Sequence, residues 1–325
     1  MSGRSPGQLT RVVPMAARDY AGIIALALIW SNSFVLIKIA VATISPMSVA
    51  AGRLLIAALI LLWVARRHGQ RLWMGWGSLG VYAFLGIVGN AIPFSLISLG
   101  ELYVDSAQAA ILMGIMPVAT LVFGHFLFAD EHITRVRGLG VVVGFSGVVT
   151  MVGWQALAGI GEQFWAQLAV LGGALCYSTS TLFLRRFGRY PSQIMAAGAC
   201  LAGGLALIPL VLVYEQPWQM QPSSASLFAV LVLGLLPTAF ASVLLFQLVP
   251  RIGAGNFAQV NYLVPGCGVL WGMTLLGEQP QAQSLLALAL ILIGVLLVTH
   301  GGKRDAAAGS QPAIPVTSRQ VKPDR

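Results

Sequence analysis

Charged residues are scarce in this sequence. Only 9% of its 325 residues are Asp, Glu, Lys or Arg, whereas 57% are hydrophobic and the mean hydropathy is +0.83. The surface of a soluble protein is about 25–35% charged. The composition therefore excludes an ordinary soluble domain and predicts a chain that folds within a lipid bilayer.

Reactive side chains are scarce as well. Cys176, Cys200 and Cys267 fall inside apolar runs and form no metal-like or Cys-x-x-Cys spacing, so we expect them to be packing residues. The sequence contains no His-Glu-x-x-His, Gly-x-Ser-x-Gly, Walker or Gly-x-Gly-x-x-Gly motif. These absences argue against an enzyme, an ATP-driven pump and a bound cofactor.

Acidic residues are absent from the middle of every apolar run. All ten Asp and Glu residues fall in predicted loops or at helix ends. Carriers that are coupled to protons usually bury a titratable group within the membrane. Proton coupling is therefore absent, located away from the centre, or dependent on His125 at the end of the fourth run, where a histidine more often only makes a hydrogen bond.

Long apolar runs are what the sequence has in abundance. A helix needs about 20 apolar residues to cross a hydrocarbon layer of about 30 Å, and uniformly apolar runs indicate helices rather than the strands of a barrel. Ten runs are long enough: 20–42, 46–65, 76–99, 103–128, 134–153, 164–185, 191–214, 224–248, 252–276 and 281–300. The first has no small-residue cleavage site, so we expect a retained helix and not a signal peptide.

The basic residues responsible for the net charge of +9 are distributed according to the predicted topology. If the N-terminus is cytoplasmic, 17 of the 19 basic residues fall on the cytoplasmic side and the loops of the opposite side contain none. This distribution obeys the positive-inside rule. The sequence therefore predicts a multi-pass protein of the bacterial inner membrane with both termini in the cytoplasm, and no nucleic-acid partner.

The two halves of the chain are related by an internal repeat. A shift of 147 positions aligns Trp30 with Tyr177, Ser31 with Ser178, Asn32 with Thr179, Ser33 with Ser180, Lys38 with Arg185, Ser95 with Ser242, Glu131 with Glu278 and Gly147 with Gly294. Pro117 and Pro265 align after a one-residue gap. Each half has five runs, and because five is odd, the second copy must be inverted relative to the first.

The predicted fold is thus an all-α integral membrane protein with ten transmembrane helices in two inverted five-helix repeats. We expect a cytoplasmic N-terminal segment at 1–19, the first repeat at 20–153, a linker at 154–163, the second repeat at 164–300 and a disordered cytoplasmic tail at 301–325. The fifth helix, with Gly140, Gly144 and Gly147, and the tenth, with Ala287, Ala289 and Gly294, have small residues that allow close helix packing, so both are predicted to be scaffold.

Polar and aromatic side chains inside the runs are the candidates for a binding site. Amide, hydroxyl and phenol groups are costly when they face lipid, so they line a cavity or bond to neighbouring helices. Aromatic rings suit stacking on an apolar or aromatic substrate, and amides suit amino or carboxyl groups. The candidate substrate-binding residues are Trp30, Asn32, Tyr82, Asn90, Tyr177, Thr179, Asn256, Gln259 and Tyr262.

Prolines and one arginine are the candidates for gates or hinges. Pro93, Pro117, Pro237 and Pro265 lie within runs, where a proline removes a backbone hydrogen bond and bends the helix. Arg53 lies about 10 Å inside the outer surface, by the helical rise per residue. It either pairs with Glu101 or Asp105, or serves an outer gate, or attracts a substrate carboxylate.

The motifs Trp30-Ser-Asn-Ser, Arg53-Leu-Leu-Ile-Ala-Ala, Pro117 followed by Asp130-Glu131, and Gly138 to Gly147, with their second-half echoes, resemble the drug/metabolite transporter superfamily. The similarity is to its EamA-type branch and covers about residues 20–300. The resemblance implies a ten-helix fold of two inverted units. It also implies the export or exchange of small metabolites, commonly amino acids.

We therefore expect an alternating-access transporter that exports or exchanges a small metabolite through a central cavity, working as a monomer without a cofactor. An amino acid, aromatic ones included, or a related zwitterion is the leading substrate. The alternatives are proton-coupled drug or metabolite efflux, and a channel-like or scaffold membrane protein. Saturation and counterflow would favour the carrier over the pore.

Overall fold

The structure is a computed structural model that describes residues 16–129, 131–158, 161–188, 190–252 and 257–308. Within these ranges the chain forms ten helical segments and no strand. The segments are α1 (Ala17–Ala40), α2 (Pro46–Arg67), α3 (Trp76–Gly100), α4 (Ser106–Leu127), α5 (Arg135–Ala158), α6 (Glu162–Phe187), α7 (Ser192–Glu215), α8 (Ser224–Val249, continuing to Ile252), α9 (Val260–Leu275) and α10 (Ala282–Ala308). The all-α fold is therefore confirmed.

Nine of the ten described segments are long and apolar enough to cross a membrane, and α9 is a shorter apolar helix of 16 residues. Helix α5 runs on to Ala158, so the first half of the expected linker is helical. Helix α10 likewise runs to Ala308, into the stretch expected to be a disordered tail. The remaining parts of the expected terminal segments, 1–15 and 309–325, lie outside the described residues.

One end of the helix bundle, which we call the basic end, carries the starts of α1, α3, α5, α7 and α9. Ion pairs hold it together: Arg185 at the end of α6 donates to Glu131 before α5 at 2.8 Å, and Arg251 in the last turn of α8 pairs with Asp19 in α1. The arginines described at this end are Arg18, Arg66, Arg67, Arg71, Arg135, Arg137, Arg185, Arg186 and Arg251.

The opposite end, which we call the acidic end, carries the starts of α2, α4, α6, α8 and α10. Here the Glu278 carboxylate accepts hydrogen bonds from the backbone N–H groups of Ser106 and Ala107 at 2.8 and 2.9 Å. It thereby caps the N-terminus of α4, where the helix dipole favours a negative charge. The described turns at this end contain no Lys or Arg, and the acidic residues there are Glu101, Asp105, Glu162, Glu215 and Glu278.

The positions of two equivalent glutamates show that the repeats are inverted. Glu131 and Glu278 are related by the 147-residue shift, yet Glu131 lies at the basic end and Glu278 at the acidic end. Helix pairing follows the same two-fold relation: α1 packs on α8 and α9 as α6 packs on α3 and α4, while α2 packs on α7 and α5 on α10. The predicted inverted architecture is confirmed.

Helices α5 and α10 approach each other most closely through glycines. A Cβ atom added at Gly294 would lie 2.5 Å from the backbone nitrogen of Gly144 and 2.7 Å from the carbonyl oxygen of Gly140. Real Cβ atoms do not approach backbone so closely, so this crossing depends on the absence of side chains. The glycines thus join the last helices of the two repeats.

Two helices of the bundle contain π-helical turns at equivalent positions. The turn in α3 spans Ile87–Ala91 and the turn in α8 spans Gly234–Phe240, so both begin at positions related by the 147-residue shift. Such turns widen the helix and expose backbone groups, and they are frequent at functional sites.

The four prolines proposed as hinges have different local settings. Pro93 follows the π-helical turn of α3, and Pro237 lies within that of α8. Helix α4 is interrupted at Gly114 and resumes at Met116, just before Pro117. Pro265 lies inside the continuous helix α9. The π-helical turns of α3 and α8 therefore match between the repeats, whereas Pro93 and Pro237 do not occupy equivalent positions.

The glycine crossing predicts opposite effects for one substitution at two sites. Gly294→Ala should lower the free energy of unfolding by about 1–3 kcal/mol, because the new methyl group meets backbone across the crossing. Gly266→Ala, in α9, meets nothing within 4 Å and should raise stability by up to about 1 kcal/mol through helix propensity. Thermal unfolding in detergent measures both, and equal shifts would contradict the described crossing.

Candidate substrate cavity

A cavity of about 590 Å³ lies between the two repeats. Its walls are formed by α1–α4 of the first repeat and α6–α9 of the second, while α5 and α10 contribute no lining residue that the structure describes. A volume of this size is in the range of small-molecule sites, which are about 300–1,000 Å³. The cavity is therefore the candidate binding site.

Many of the lining residues form pairs that the repeat relates. The pairs are Trp30 and Tyr177, Ser33 and Ser180, Phe34 and Thr181, Ile37 and Leu184, Arg53 and Cys200, Asn90 and Pro237, and, after the one-residue gap, Met113 and Asn261, Met116 and Val264, and Pro117 and Pro265. Equivalent residues can face the same space only if that space surrounds the pseudo-two-fold axis. The cavity is thus located on the axis itself, where binding sites of inverted-repeat transporters occur.

Arg53 is the charged side chain among the lining residues, and it is 4% exposed. Its Nε and Nη2 atoms donate to the Thr238 hydroxyl at 3.2 and 3.0 Å, and its Cζ atom lies 3.7 Å from the centroid of the Phe94 ring. No described carboxylate lies within 4.0 Å of this guanidinium. The expected ion pair with Glu101 or Asp105 is therefore not formed.

The π-helical turn of α8 supplies the partners of two cavity residues. The Thr238 hydroxyl donates to the Leu233 carbonyl at 2.8 Å while it accepts from Arg53. The neighbouring carbonyl of Pro237 accepts from Trp30 Nε1 at 3.1 Å. The widened turn therefore positions both the cation and the indole at the cavity wall.

Aromatic rings form much of the remaining wall. Tyr177 contacts Phe94 edge-on with centroids 6.3 Å apart, and Trp30 contacts Phe257 in the same way at 6.1 Å. Phe94 therefore contacts both the guanidinium of Arg53 and the Tyr177 ring, and its face is a favourable place for the cation. The wall combines one fixed positive charge with a large apolar surface.

The cavity extends farther toward the basic end than toward the acidic end. At the basic end Gly188 and Ser192 line it, whereas their repeat equivalents at the acidic end, Val41 and Ser45, do not, and Val41 is buried. The cavity therefore does not follow the two-fold symmetry of the repeats, because it reaches closer to the basic end than to the acidic end.

Polar contacts close the acidic end. Lys38 Nζ donates to the backbone carbonyls of Glu101 and Val104, each at 2.7 Å, and the Thr43 hydroxyl donates to Ser226 Oγ at 2.8 Å. The carboxylate of Glu215 accepts from the backbone N–H groups of residues 47 and 48 at 2.8 and 2.7 Å. These contacts join α1, α2, α3, α7 and α8 above the cavity.

Several of the predicted site residues line the cavity and others lie elsewhere. Those that line it are Trp30, Asn90, Tyr177, Arg53, Pro117, Pro237 and Pro265. Asn32 lines a separate groove of about 240 Å³ between α1, α8 and α9, together with Trp271. The side chains of Gln259 and Tyr262 do not line the cavity, and Tyr262 packs against the core of the bundle. Asn256 lies outside the described residues.

Three further predicted residues lie away from the cavity. Tyr82 is buried against Gly198 of α7, and its hydroxyl donates to the Leu72 carbonyl at 3.1 Å. The Thr179 hydroxyl donates to the carbonyl of Leu175 in its own helix at 2.9 Å. Pro93 is buried within the bundle and does not reach the cavity.

Helix phase explains which residues the sequence reasoning missed. Positions 30, 33, 34 and 37 of α1 and the equivalent positions of α6 share one helical face, since residues three and four apart lie together. That spacing, counted from Trp30, would have selected Ser33 and Ser180 instead of Asn32 and Thr179. Phe94 and Thr238, which contact Arg53, could not be found from sequence spacing because they lie on other helices than Arg53.

The ten described helices, in two inverted repeats around an axial cavity, have the architecture of many secondary transporters. The model of the EamA-like transporter family matches this chain twice, over residues 19–153 and 164–300. The chain belongs to the EamA-like transporter family, which is consistent with the drug/metabolite transporter superfamily.

Curated relatives cover nearly the whole chain at low identity. The "Uncharacterized transporter YoaV" of Bacillus subtilis is 24% identical over 86% of this chain and 95% of its own. The "Uncharacterized inner membrane transporter YedA" of Escherichia coli is 25% identical over 87% and 90%. The "Probable terminal-alkyne amino-acid exporter" of Streptantibioticus cattleyicolor is 26% identical over 86% and 93%.

A solved structure described only as "Crystal structure of protein" shares the fold. Its TM-score is 0.64 at 21% sequence identity, and the match covers 89% of this chain and 99% of that one.

The helix phase predicts different reactivity for two adjacent positions. In a protein whose native cysteines are replaced by Ala, Ser180→Cys should react with maleimide about tenfold faster or more than Thr179→Cys, since only a hydrated thiol ionises readily. Position 180 lines the cavity and position 179 does not. Mass spectrometry of the detergent-solubilised variants measures both rates, and equal rates would place the cavity elsewhere.

Proposed function

We propose that this protein is an alternating-access carrier of the bacterial inner membrane that exports or exchanges small carboxylate-bearing metabolites. Amino acids with apolar or aromatic side chains are the leading substrates. The observation that carries the proposal is a buried arginine, without a protein counter-ion among the described residues, on the wall of an apolar and aromatic cavity.

The charge of Arg53 argues for an anionic group on the substrate. A buried charge is costly unless it is paired, and the contacts of Arg53 are a hydroxyl and an aromatic face. Its Nη1 atom makes no hydrogen bond to another described residue. A guanidinium binds a carboxylate in a charge-assisted geometry, so a substrate carboxylate would supply the missing counter-charge.

The remaining wall supports an apolar or aromatic substituent and an amino group. Trp30, Phe94 and Tyr177 offer ring faces close to Arg53. The hydroxyl group of Ser180 and the amide of Asn261 are hydrogen-bonding partners for an ammonium group on the same substrate. An amino acid has these three groups within the span of such a cavity.

Charge asymmetry supports an orientation with the basic end in the cytoplasm, following the positive-inside rule. In this orientation both termini are cytoplasmic, and the cavity receives substrate from the cytoplasm because it extends toward the basic end. Uptake of substrate from the cytoplasm by this conformation is the first step of export. A relative named as an amino-acid exporter and one named as an inner membrane transporter agree with this proposal.

A channel-like protein is the second candidate, and the closed acidic end argues against it. A pore needs a continuous path, whereas polar contacts of Lys38, Thr43 and Glu215 join five helices above the cavity. A site that is closed on one side and approached from the other is the arrangement that alternating access requires.

Substitution of Arg53 tests the proposed carboxylate site. Arg53→Gln should reduce counterflow of phenylalanine or tryptophan in proteoliposomes about tenfold or more, because one charge-assisted contact is worth about 1.5–3 kcal/mol. Transport of the methyl ester of the same amino acid, which has no carboxylate, should not distinguish the variant from the parent.

The repeat equivalent of Arg53 provides a matched control. Cys200 also lines the cavity but is uncharged, so Cys200→Ser should retain transport of the free amino acid. Thermal unfolding of each variant shows whether the fold is retained. Unchanged amino-acid transport by a folded Arg53→Gln variant would show that Arg53 does not form a carboxylate site.

A further inference from the structure

Glu101 is a buried acidic residue whose carboxylate has no hydrogen-bond partner, unlike the glutamates of the neighbouring turns that the structure describes. It directly follows α3 at the acidic end and is 0% exposed, and neither of its carboxylate oxygens has a hydrogen-bond partner. By contrast, the carboxylates of Glu215 and Glu278 accept backbone hydrogen bonds that cap helices. A buried carboxylate with no donors is costly in its charged form. The geometry therefore favours a neutral carboxyl at this position.

The charged groups around Glu101 come from four neighbouring elements. Lys38 of α1 binds the backbone carbonyl of Glu101 instead of its side chain, and Arg53 of α2 is bound to Thr238. Asp105 at the start of α4 and Glu278 between α9 and α10 are the nearby acids. Neither cation thus makes an ion pair with the Glu101 carboxylate.

Burial raises the pKa of the Glu101 carboxyl well above its usual range. The charge of Lys38 opposes this shift and the charge of Glu278 adds to it, but burial is the largest cause. Burial also raises the pKa of Asp105, which is less completely enclosed. The raised pKa of Glu101 agrees with the absence of hydrogen-bond partners at its carboxylate oxygens.

We propose that Glu101 is a proton-binding site linked to the opening of the acidic end. It holds a proton while the end is closed and releases it when opening admits water to the carboxyl. The proposal rests on the alternating-access part of the proposed function and not on the identity of the substrate. The groups available at the site favour a proton over a metal ion, since the described residues contain no cluster of three or more metal-ligating side chains.

The sign of the pH dependence follows from linkage. A hydrated glutamate titrates near about pH 4.3, so above this pH the open state has lost the proton while the closed state retains it. Acid therefore stabilises the closed end, and this stabilisation is lost as the pH rises from the ordinary carboxyl pKa through the raised pKa of the closed state. One linked proton changes the ratio of open to closed by at most about tenfold per pH unit.

Thiol labelling at the acidic end tests the proposal without any substrate. Ile44 is a buried residue of the α1–α2 turn, and Trp218 in the α7–α8 connection is 66% exposed. In a background without native cysteines, the labelling rate of Ile44→Cys is divided by that of Trp218→Cys, which corrects for the rise in labelling that thiol ionisation causes as the pH increases. The ratio should rise between about pH 5 and about pH 8, as opening becomes more favourable.

Two variants assign this pH dependence to one carboxyl. Glu101→Gln keeps the shape of the protonated side chain, so its ratio should stay at the low, acid value at every pH. Asp105→Asn, the neighbouring acid that is less completely enclosed, should retain most of the slope of the parent. A parent ratio that does not change with pH, or a slope that persists in Glu101→Gln, overturns the proposal. Because no substrate is present, a wrong substrate class leaves the result unaffected.

Discussion

An odd number of membrane crossings in each repeat is the constraint on which this structure depends. Five crossings leave the second copy upside down, so Glu131 and Glu278 lie at opposite ends of the bundle although they occupy the same place in the repeat. The two-fold axis then lies in the plane of the membrane, and equivalent residues such as Trp30 and Tyr177 line one cavity around it. A cavity halfway through the bundle follows from this symmetry.

Function requires that this symmetry is broken. Arg53 and Cys200 occupy equivalent places on the cavity wall, but only one carries a charge. The π-helical turn of α8 places Thr238 against the guanidinium, whereas the equivalent residue of α3, Ala91, has no hydroxyl to offer. The cavity is also closed by polar contacts at the acidic end and extends toward the basic end. One half therefore supplies the charge and the other half holds it in place.

The sequence was sufficient to predict the helices, the repeat and the scaffold role of α5 and α10, because apolar length and small-residue spacing are local signals. That these two helices cross each other came from the structure. It was not sufficient to predict the cavity wall. Asn32 and Ser33 are adjacent and both polar, and only the rotation of α1 against its neighbours decides which one faces the cavity. Likewise, the partner of Arg53 is 185 positions away in sequence, and a nearby acid was the simpler expectation. Contacts between the repeats depend on how the helices pack, and local sequence patterns do not reveal this packing.

Closure of the acidic end above a shared cavity is the feature on which alternating access most directly depends. The hydroxyl groups of Thr43 and Ser226 are 2.8 Å apart across this closure, so cysteines at both positions can be joined by oxidation. In a background without native cysteines and with a third cysteine at Ser33 in the cavity, an impermeant maleimide is added to sealed vesicles from either side of the membrane. Oxidation should abolish labelling of the cavity from the acidic end and preserve labelling from the basic end. Undiminished labelling from the acidic end after complete oxidation would contradict an alternating cavity.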